Sequence, residues 1–380
     1  MERAYHRVKG VNSHNMKIVL LAPFSVVHTV RWANAFAVRG HEVHVITSHP
    51  NTLDTTTEEV TVHKLPFTAP VGYYLNAFAL KRLLKRLRPD VLNAHYASGY
   101  GTLGRLCDFS PYVLSVWGSD VYDFPDKSPV HLRLIRKNLL AADRICSTSN
   151  AMAGQVRKIC PELQDIRVTP FGVDTKTFSP MPDLRDLRQI TIGTVKSLKH
   201  KYGIDILLKA FAHVKEHYGT TDKAMSERLR LVIVGSGPEE KKLKEMADGL
   251  KIAGYCTWVG RIERQEVPKW LNKLDIFAAL SRSESFGVAI IEASACELPV
   301  IVSDAGGLPE VVEDGETGFV VRRENPEAAG KAMIRLINDP DLRKEMGKKG
   351  RDHVIREYEW EHCVGLLEEV LREASGIRNK

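Results

Sequence analysis

No apolar run in this 380-residue chain approaches the ~18–20 residues needed to cross a bilayer; the longest, Met16 to Phe24, Phe277 to Leu280 and Val300 to Val302, are strand-sized. A membrane-spanning chain is thereby excluded. Cysteine is sparse: Cys107, Cys146, Cys160, Cys256, Cys296 and Cys363 stand far apart, with no C-x-x-C pair and no His/Cys cluster. That spacing argues against a structural zinc site and a disulfide framework, and for a reducing cytosol. Glycine is missing from the first loop, Pro23 to Thr29, where a dinucleotide binder carries G-x-G-x-x-G. Backbone cannot close on a pyrophosphate there, so hydride transfer is disfavoured. No Asp-x-Asp ends a strand and no carboxylate cluster has Mg²⁺ spacing, so no metal is expected. The first fifteen residues lack the apolar stretch of a secretory signal, and Met16 is a second candidate start.

What is present is the composition of a soluble globular protein, 43% hydrophobic and 27% charged. The length exceeds one ordinary domain of ~100–200 residues and suits two. The net charge of +7 is unevenly spread: residues 1–180 hold 22 Lys+Arg against 14 Asp+Glu, whereas the remainder holds 32 against 33. A positive half of this kind meets nucleic acid, an anionic membrane face or an acidic substrate. Nucleic acid is set aside, because no basic module interleaved with aromatics is present.

Both halves alternate short apolar strands with amphipathic helices. In the first, strand Met16 to Ala22 leads to a helix from Thr29 to Arg39, and strand 41–47 follows the stop at Gly40. The alternation continues through a helix near Tyr74 to Leu87, strands VLNAHY and YVLSVWG, a helix from Pro129 to Ala141, and strand RICSTS. The second half repeats this grammar from ITIGTV onward, with a helix from Val288 to Ala295, another begun by Pro309, and terminal helices from about Pro326. The pattern predicts an α/β protein with two doubly wound parallel sheets. We place an extension at 1–15, a first domain at 16–175, a linker at 176–188 in a Pro- and Asp-rich stretch, a second domain at 189–352 and a helical end at 353–380. Open parallel sheets bind ligands beyond the carboxyl ends of their strands, so a cleft between the two domains is the expected site.

The most informative stretch is Ser281-Arg282-Ser283-Glu284-Ser285-Phe286-Gly287, which runs into Val288 to Glu292 and then to Gly306-Gly307-Leu308-Pro309-Glu310. Glu284 follows a strand, and Ser285 to Gly287 open a helix whose N–H groups and positive dipole end suit a phosphate. Glu292 lies about a turn and a half inside that helix. Two carboxylates and a helix terminus can then hold two parts of one ligand. Capping and a solvated helix face are the plainer alternatives for the two glutamates. Gly235 and Gly237 after a later strand fit either a phosphate loop or a tight turn.

Glu284-x₇-Glu292 with ESFG and GGLPE resembles the retaining glycosyltransferases of family 4, which have the two-domain GT-B fold. The resemblance extends to WGSD at 117–120, PFGVD at 170–174, VGSGP at 234–238 and VGR at 259–261, over roughly residues 16–372. It implies that Glu284 contacts the donor sugar and stabilises the transition state, and that Glu292 holds the nucleotide ribose. Ser285, Phe286, Gly287 and Gly235 would line the donor, with Phe286 and Gly287 offering backbone N–H groups; Arg261 and Ile262 belong to the base-recognition stretch. Lys196 takes the place of the family's usual Arg, and Tyr202 is interposed between Lys201 and Gly203. This leaves a Lys196/Lys201 pair for the diphosphate, with Lys199 as a rival.

On the first-domain side, Trp117 stands where relatives carry His. It either stacks on a sugar or packs. Asp120 either orients an acceptor hydroxyl or caps a turn. His28 and His95 lie at strand ends, His28 being the better acceptor-side candidate.

The resemblance further implies front-face transfer without a metal, from a UDP- or GDP-linked sugar to a glycan or lipid-linked glycan, with no cofactor. It also implies a terminal helix around Tyr358 to Glu361 that crosses back to the first domain. A nucleotide-sugar epimerase and a non-catalytic nucleotide-sugar-binding protein are the alternatives. The basic amphipathic helix Ala79 to Arg88 either buries Leu80, Leu83, Leu84 and Leu87 on its sheet or docks peripherally on an anionic membrane from the cytoplasmic side.

Overall fold

Runs of Ile, Val and Leu without alternation become parallel strands covered on both faces: Ile18, Val19, Leu20 and Leu21 of the first strand are all fully buried. The computed structural model describes residues 15–50 and 59–377. The extension expected at 1–15 therefore lies, apart from Asn15, outside the described residues.

Seven strands form the first sheet: β1 (Lys17–Leu21), β2 (Glu42–Thr47), β3 (Val60–Lys64), β4 (Val91–His95), β5 (Tyr112–Ser115), β6 (Arg144–Ser147) and β7 (Ile166–Val168). All pairings are parallel, in the order β3-β2-β1-β4-β5-β6-β7. Six more form the second: β8 (Ile190–Val195), β9 (Leu229–Val234), β10 (Cys256–Gly260), β11 (Ile276–Ala279), β12 (Val300–Ser303) and β13 (Gly318–Val321), ordered β10-β9-β8-β11-β12-β13. In each sheet the strand order reverses once, between β1 and β4 and between β8 and β11. Loops leaving the carboxyl ends of those neighbours diverge and open a crevice.

The chain divides into two units, one of residues up to Pro170 together with those from Cys363, the other Phe171–His362. Helix Trp360–Ser375 thus contributes most of its length to the first unit. Its Glu368 accepts from Arg39 at 2.7 Å and pairs with His41 Nε2 at 3.0 Å, and Arg167 reaches Glu373 at 2.6 Å. Met16 N donates to His41 Nδ1, which makes Nε2 the protonated nitrogen facing the carboxylate. Burial would raise the Glu368 carboxyl, but hydrogen bonds from His41, Arg39 and Arg372 hold it well below the usual range.

Three local expectations change. The edge strands β3 and β7 had no separate signal: β3 is largely exposed and alternates apolar with polar residues instead of forming an Ile/Val/Leu run, and β7 has only three residues. The helix expected from Pro309 is a single tight turn, Leu308–Glu310, because Gly306 and Gly307 are committed to the neighbouring loop. The helix expected near Tyr74 to Leu87 is two, Gly72–Leu75 and Ala77–Leu87, separated at Asn76. The Asn76 amide turns back to Phe67, donating to its carbonyl at 2.7 Å and accepting from its N–H at 3.1 Å.

Candidate functional site

In the second unit the donor-side residues collect at the reversal between β8 and β11. Lys196 leaves β8, Glu284 lies just past β11, and Lys196 Nζ donates to Glu284 Oε2 at 2.6 Å. Both side chains are close to nine-tenths covered. The Ser281 hydroxyl donates to the same oxygen at 3.4 Å. Lys196 Nζ lies 5.0 Å and Lys201 Nζ 5.3 Å from the centre of the Tyr202 ring. The interposed tyrosine is therefore the aromatic surface against which both lysines rest. Lys199, their rival, is exposed.

Two glycines make this arrangement possible. Gly306 has φ +55°, and a Cβ there would stand 1.9 Å from the Glu284 carbonyl oxygen, so the loop after β12 can press against the Glu284 loop. Gly235 has φ +136°, and its Cβ would stand 1.9 Å from the Lys196 carbonyl oxygen. Of the two readings of Gly235, the tight, close-approach turn is the one the backbone displays, and it seats Lys196.

Sequence reasoning missed a third contributor. Arg282 grips Asp205 through both guanidinium nitrogens at 2.8 and 2.7 Å, reaches Glu324 at 2.7 Å and donates to the His200 carbonyl at 2.8 Å. Its backbone N–H bonds the Lys201 carbonyl at 2.8 Å. The loop carrying the lysines is thereby strapped to the loop carrying Glu284. Burial would raise the Asp205 carboxyl, but Arg282 holds it below its ordinary value.

Gly287 caps helix Val288–Ala295, on whose buried side Glu292 sits. Arg264 donates to Glu292 Oε1 at 3.1 Å. Arg264 was also missed, since nothing in its local pattern separates it from exposed Arg261 and half-buried Ile262 on the same loop. Ser285 is half-buried at the helix entry. The Phe286 side chain is buried edge-on to Phe171 at 6.2 Å and Tyr358 at 5.6 Å. Phe171 of PFGVD thus helps to anchor the buried Phe286 side chain, leaving only the Phe286 backbone for a ligand.

In the first unit the candidates gather at the reversal between β1 and β4, but their roles change. Asp120 is fully buried, and its carboxylate accepts from the N–H groups of Ala97 at 2.7 Å, Gly118 at 2.8 Å and Trp117 at 3.2 Å. Burial pushes its carboxyl up against those three donors. The geometry favours the structural alternative: Asp120 ties the loops after β4 and β5 together, and both of its oxygens are already engaged. Trp117 is enclosed by His95 at 4.2 Å, Tyr96 at 5.1 Å and His28 at 6.1 Å between ring centres, which is packing rather than an open sugar platform.

His95 is fully buried, and burial drives its imidazole down to about 3. Asn93 donates to Ser115 Oγ and the Val113 carbonyl, so its oxygen faces His95 Nε2 at 3.0 Å and makes that nitrogen the donor. The other nitrogen, Nδ1, is a buried acceptor with no hydrogen-bond partner. His28 is half-buried in the first turn of helix Val27–Val38, which follows β1. Two further features escaped sequence reasoning: Tyr96 adopts φ +69° immediately after β4, and His49 Nδ1 meets the Tyr100 hydroxyl at 2.7 Å at the end of β2.

The family described as Glycosyl transferases group 1 matches residues 178–353, and that described as Glycosyl transferase 4-like matches 17–149. The N-acetyl-alpha-D-glucosaminyl L-malate synthase of Bacillus anthracis is 26% identical over 359 residues, covering 88% of this chain and 90% of that protein. The GDP-mannose-dependent alpha-(1-6)-phosphatidylinositol monomannoside mannosyltransferase of Mycolicibacterium smegmatis is 31% identical over 217 residues, 53% of this chain and 55% of that protein. Among solved structures, sucrose-phosphate synthase from Thermosynechococcus elongatus superposes with a TM-score of 0.81 at 20% identity, covering 94% of this chain and 99% of that one. This last likeness shows the fold, GT-B.

Proposed function

We propose that this chain, which belongs to the family 4 glycosyltransferases, moves a hexose-type sugar from a nucleoside-diphosphate donor to a hydroxyl with retention of anomeric configuration and without a metal. The observation that carries the reading is the Lys196–Glu284 pair at 2.6 Å, set at a sheet reversal with Lys201 beside the same tyrosine. A diphosphate entering there finds two ammonium groups and the N-terminus of helix Val288–Ala295. As it draws Lys196 away, the Glu284 carboxylate becomes available to the sugar, and Glu292 is held by Arg264 for the ribose. The C1–O bond to the diphosphate breaks, the acceptor oxygen bonds C1 from the same face, and the acceptor proton passes to the departing phosphate oxygen. UDP- and GDP-linked sugars are the donors to try.

The acceptor is a hydroxyl on an anionic molecule, a glycan or lipid-linked glycan being the first choice. The positive first half supports this, as do the two relatives above, whose names specify malate and a phosphatidylinositol mannoside. We place the reaction in the cytoplasm, where the six cysteines, none of them in a disulfide, stay reduced. No helix among the described residues is long and apolar enough to cross a membrane.

A panel of UDP-, GDP- and ADP-sugars is screened by thermal shift, and the stabilising donor is incubated with candidate acceptors and followed by NMR. Transfer with retained configuration, lost about 100-fold or more in Glu284→Gln, is expected. An epimer formed from the donor alone, or no stabilisation by any nucleotide sugar, overturns the reading.

A further inference from the structure

The leucine face of helix Ala77–Leu87 is not available for docking, because Leu80 and Leu84 lie inside the core of the first unit. What the helix shows to solvent is unusual in another way. Phe78 is 79% exposed, and Phe67, Val71, Tyr74 and Leu75 are each about half exposed or more. Val71, Tyr74, Leu75 and Phe78 follow i, i+3, i+4, i+7 spacing across the two consecutive helices, so they form one stripe. The same phase then continues through Lys81, Arg82 and Lys85, all exposed. An apolar ridge thus turns, on one face, into a basic one.

The ridge is built rather than frayed. Asn76 is fully buried and holds the Phe67 backbone in both directions, while its amide also donates to Ser48 Oγ at 3.2 Å. Gly72 lets the turn close, since a Cβ there would stand 2.2 Å from the Phe67 carbonyl oxygen. The charge is equally one-sided: residues 60–89 contain six Lys and Arg and no Asp or Glu. Among the described residues, only Lys81 of the stripe's cations is in an ion pair, a loose one with Asp108 at 3.8 Å.

Soluble monomers seldom show large apolar side chains clustered in this way. An acidic protein partner would satisfy the cations and leave the aromatic ridge to find its own pocket. A bilayer with anionic headgroups satisfies both at once: the ridge enters the headgroup boundary while lysine and arginine stems extend to the phosphates.

We propose that the Phe67–Phe78 ridge and the Lys81, Arg82, Lys85 stripe together form a docking surface for an anionic phospholipid bilayer. The inference is independent of glycosyl transfer, and its test contains no sugar. The full chain is floated with vesicles of phosphatidylcholine alone or mixed with phosphatidylglycerol. Binding to the mixed vesicles only, released by salt, is expected. Tyr74→Ser/Phe78→Ser and, separately, Lys81→Glu/Lys85→Glu should each weaken partitioning about tenfold or more while the melting temperature stays unchanged. Equal recovery with both vesicle types, or variants that bind like the parent, overturns the proposal. So does a ridge-dependent dimer in sedimentation without vesicle binding.

Discussion

Arg282 and Asp205 face each other fork to fork, with two parallel hydrogen bonds of 2.8 and 2.7 Å, yet neither is a donor-site candidate. Asp205 stands in the first turn of helix Ile204–Thr221, and Arg282 on the loop that carries Glu284. Their pairing fixes the distance between the lysine loop and the glutamate loop. Arg282 is a positioning residue: it acts through Lys201 and Glu284.

Arg282→Lys keeps the charge and loses the fork. The donor KM should rise roughly tenfold with kcat little changed, as expected when binding geometry loosens, and stability should fall by about 1–2 kcal/mol in urea unfolding. A fall in kcat at unchanged KM would instead place Arg282 at the reacting atoms.

Gly306→Ala should cost both fold stability and turnover, because the new Cβ meets the Glu284 carbonyl at 1.9 Å and φ is positive. A loss of about 3 kcal/mol or more is expected from the combined strain and clash. Gly154→Ala, where nothing lies within 4 Å in helix Asn150–Ile159, serves as the control and should be neutral or stabilising by up to ~1 kcal/mol. Thermal melting of the two variants reads the difference.

Arg264→Ala leaves the Glu292 carboxylate without its 3.1 Å partner. The dissociation constant for free nucleoside diphosphate should rise about three- to tenfold, measured calorimetrically, if Arg264 orients Glu292 for the ribose. Unchanged nucleotide affinity would remove Glu292 from that role.

His95 supplies a pH dependence of definite sign. Its native imidazole titrates near about 3, far below the ~6.5 of an unfolded histidine. As pH falls below ~6.5 the unfolded chain takes up a proton that the native chain refuses, so stability declines toward pH 3 by at most about 1.4 kcal/mol per pH unit. Urea unfolding at pH 7 and pH 5 should show His95→Asn losing less stability over that interval than the parent. Equal losses would mean that His95 is already open to protonation.

The strands and most helices were legible because unbroken Ile/Val/Leu runs and 3.6-residue periodicity are local signals. Glu284 stood out by its place between a strand and a helix, and Lys196 and Lys201 only through the family resemblance; the structure puts Lys196 against Glu284 and both lysines against Tyr202. The Arg282 and Arg264 contacts were not, because an exposed-looking arginine becomes a structural one only when a loop distant in sequence delivers Asp205 or Glu292 to it. Asp120 shows the reverse: WGSD marked it as important, but only the fold reveals that its importance lies in three backbone N–H groups. Tyr202 looked like an interruption between Lys201 and Gly203, and the ring geometry shows why the interruption is tolerated.

Helix Trp360–Ser375 has a consequence for the order in which the molecule can be assembled. β1 and β2 emerge from the ribosome early, but Glu368, which receives Arg39 and faces buried His41, is made only after the whole of residues 171–362. Until then Arg39 lacks its carboxylate partner and His41 lacks the acceptor for its Nε2 proton. The second unit is synthesised without that debt, so the half that comes later in the chain is the first whose residues are all in hand.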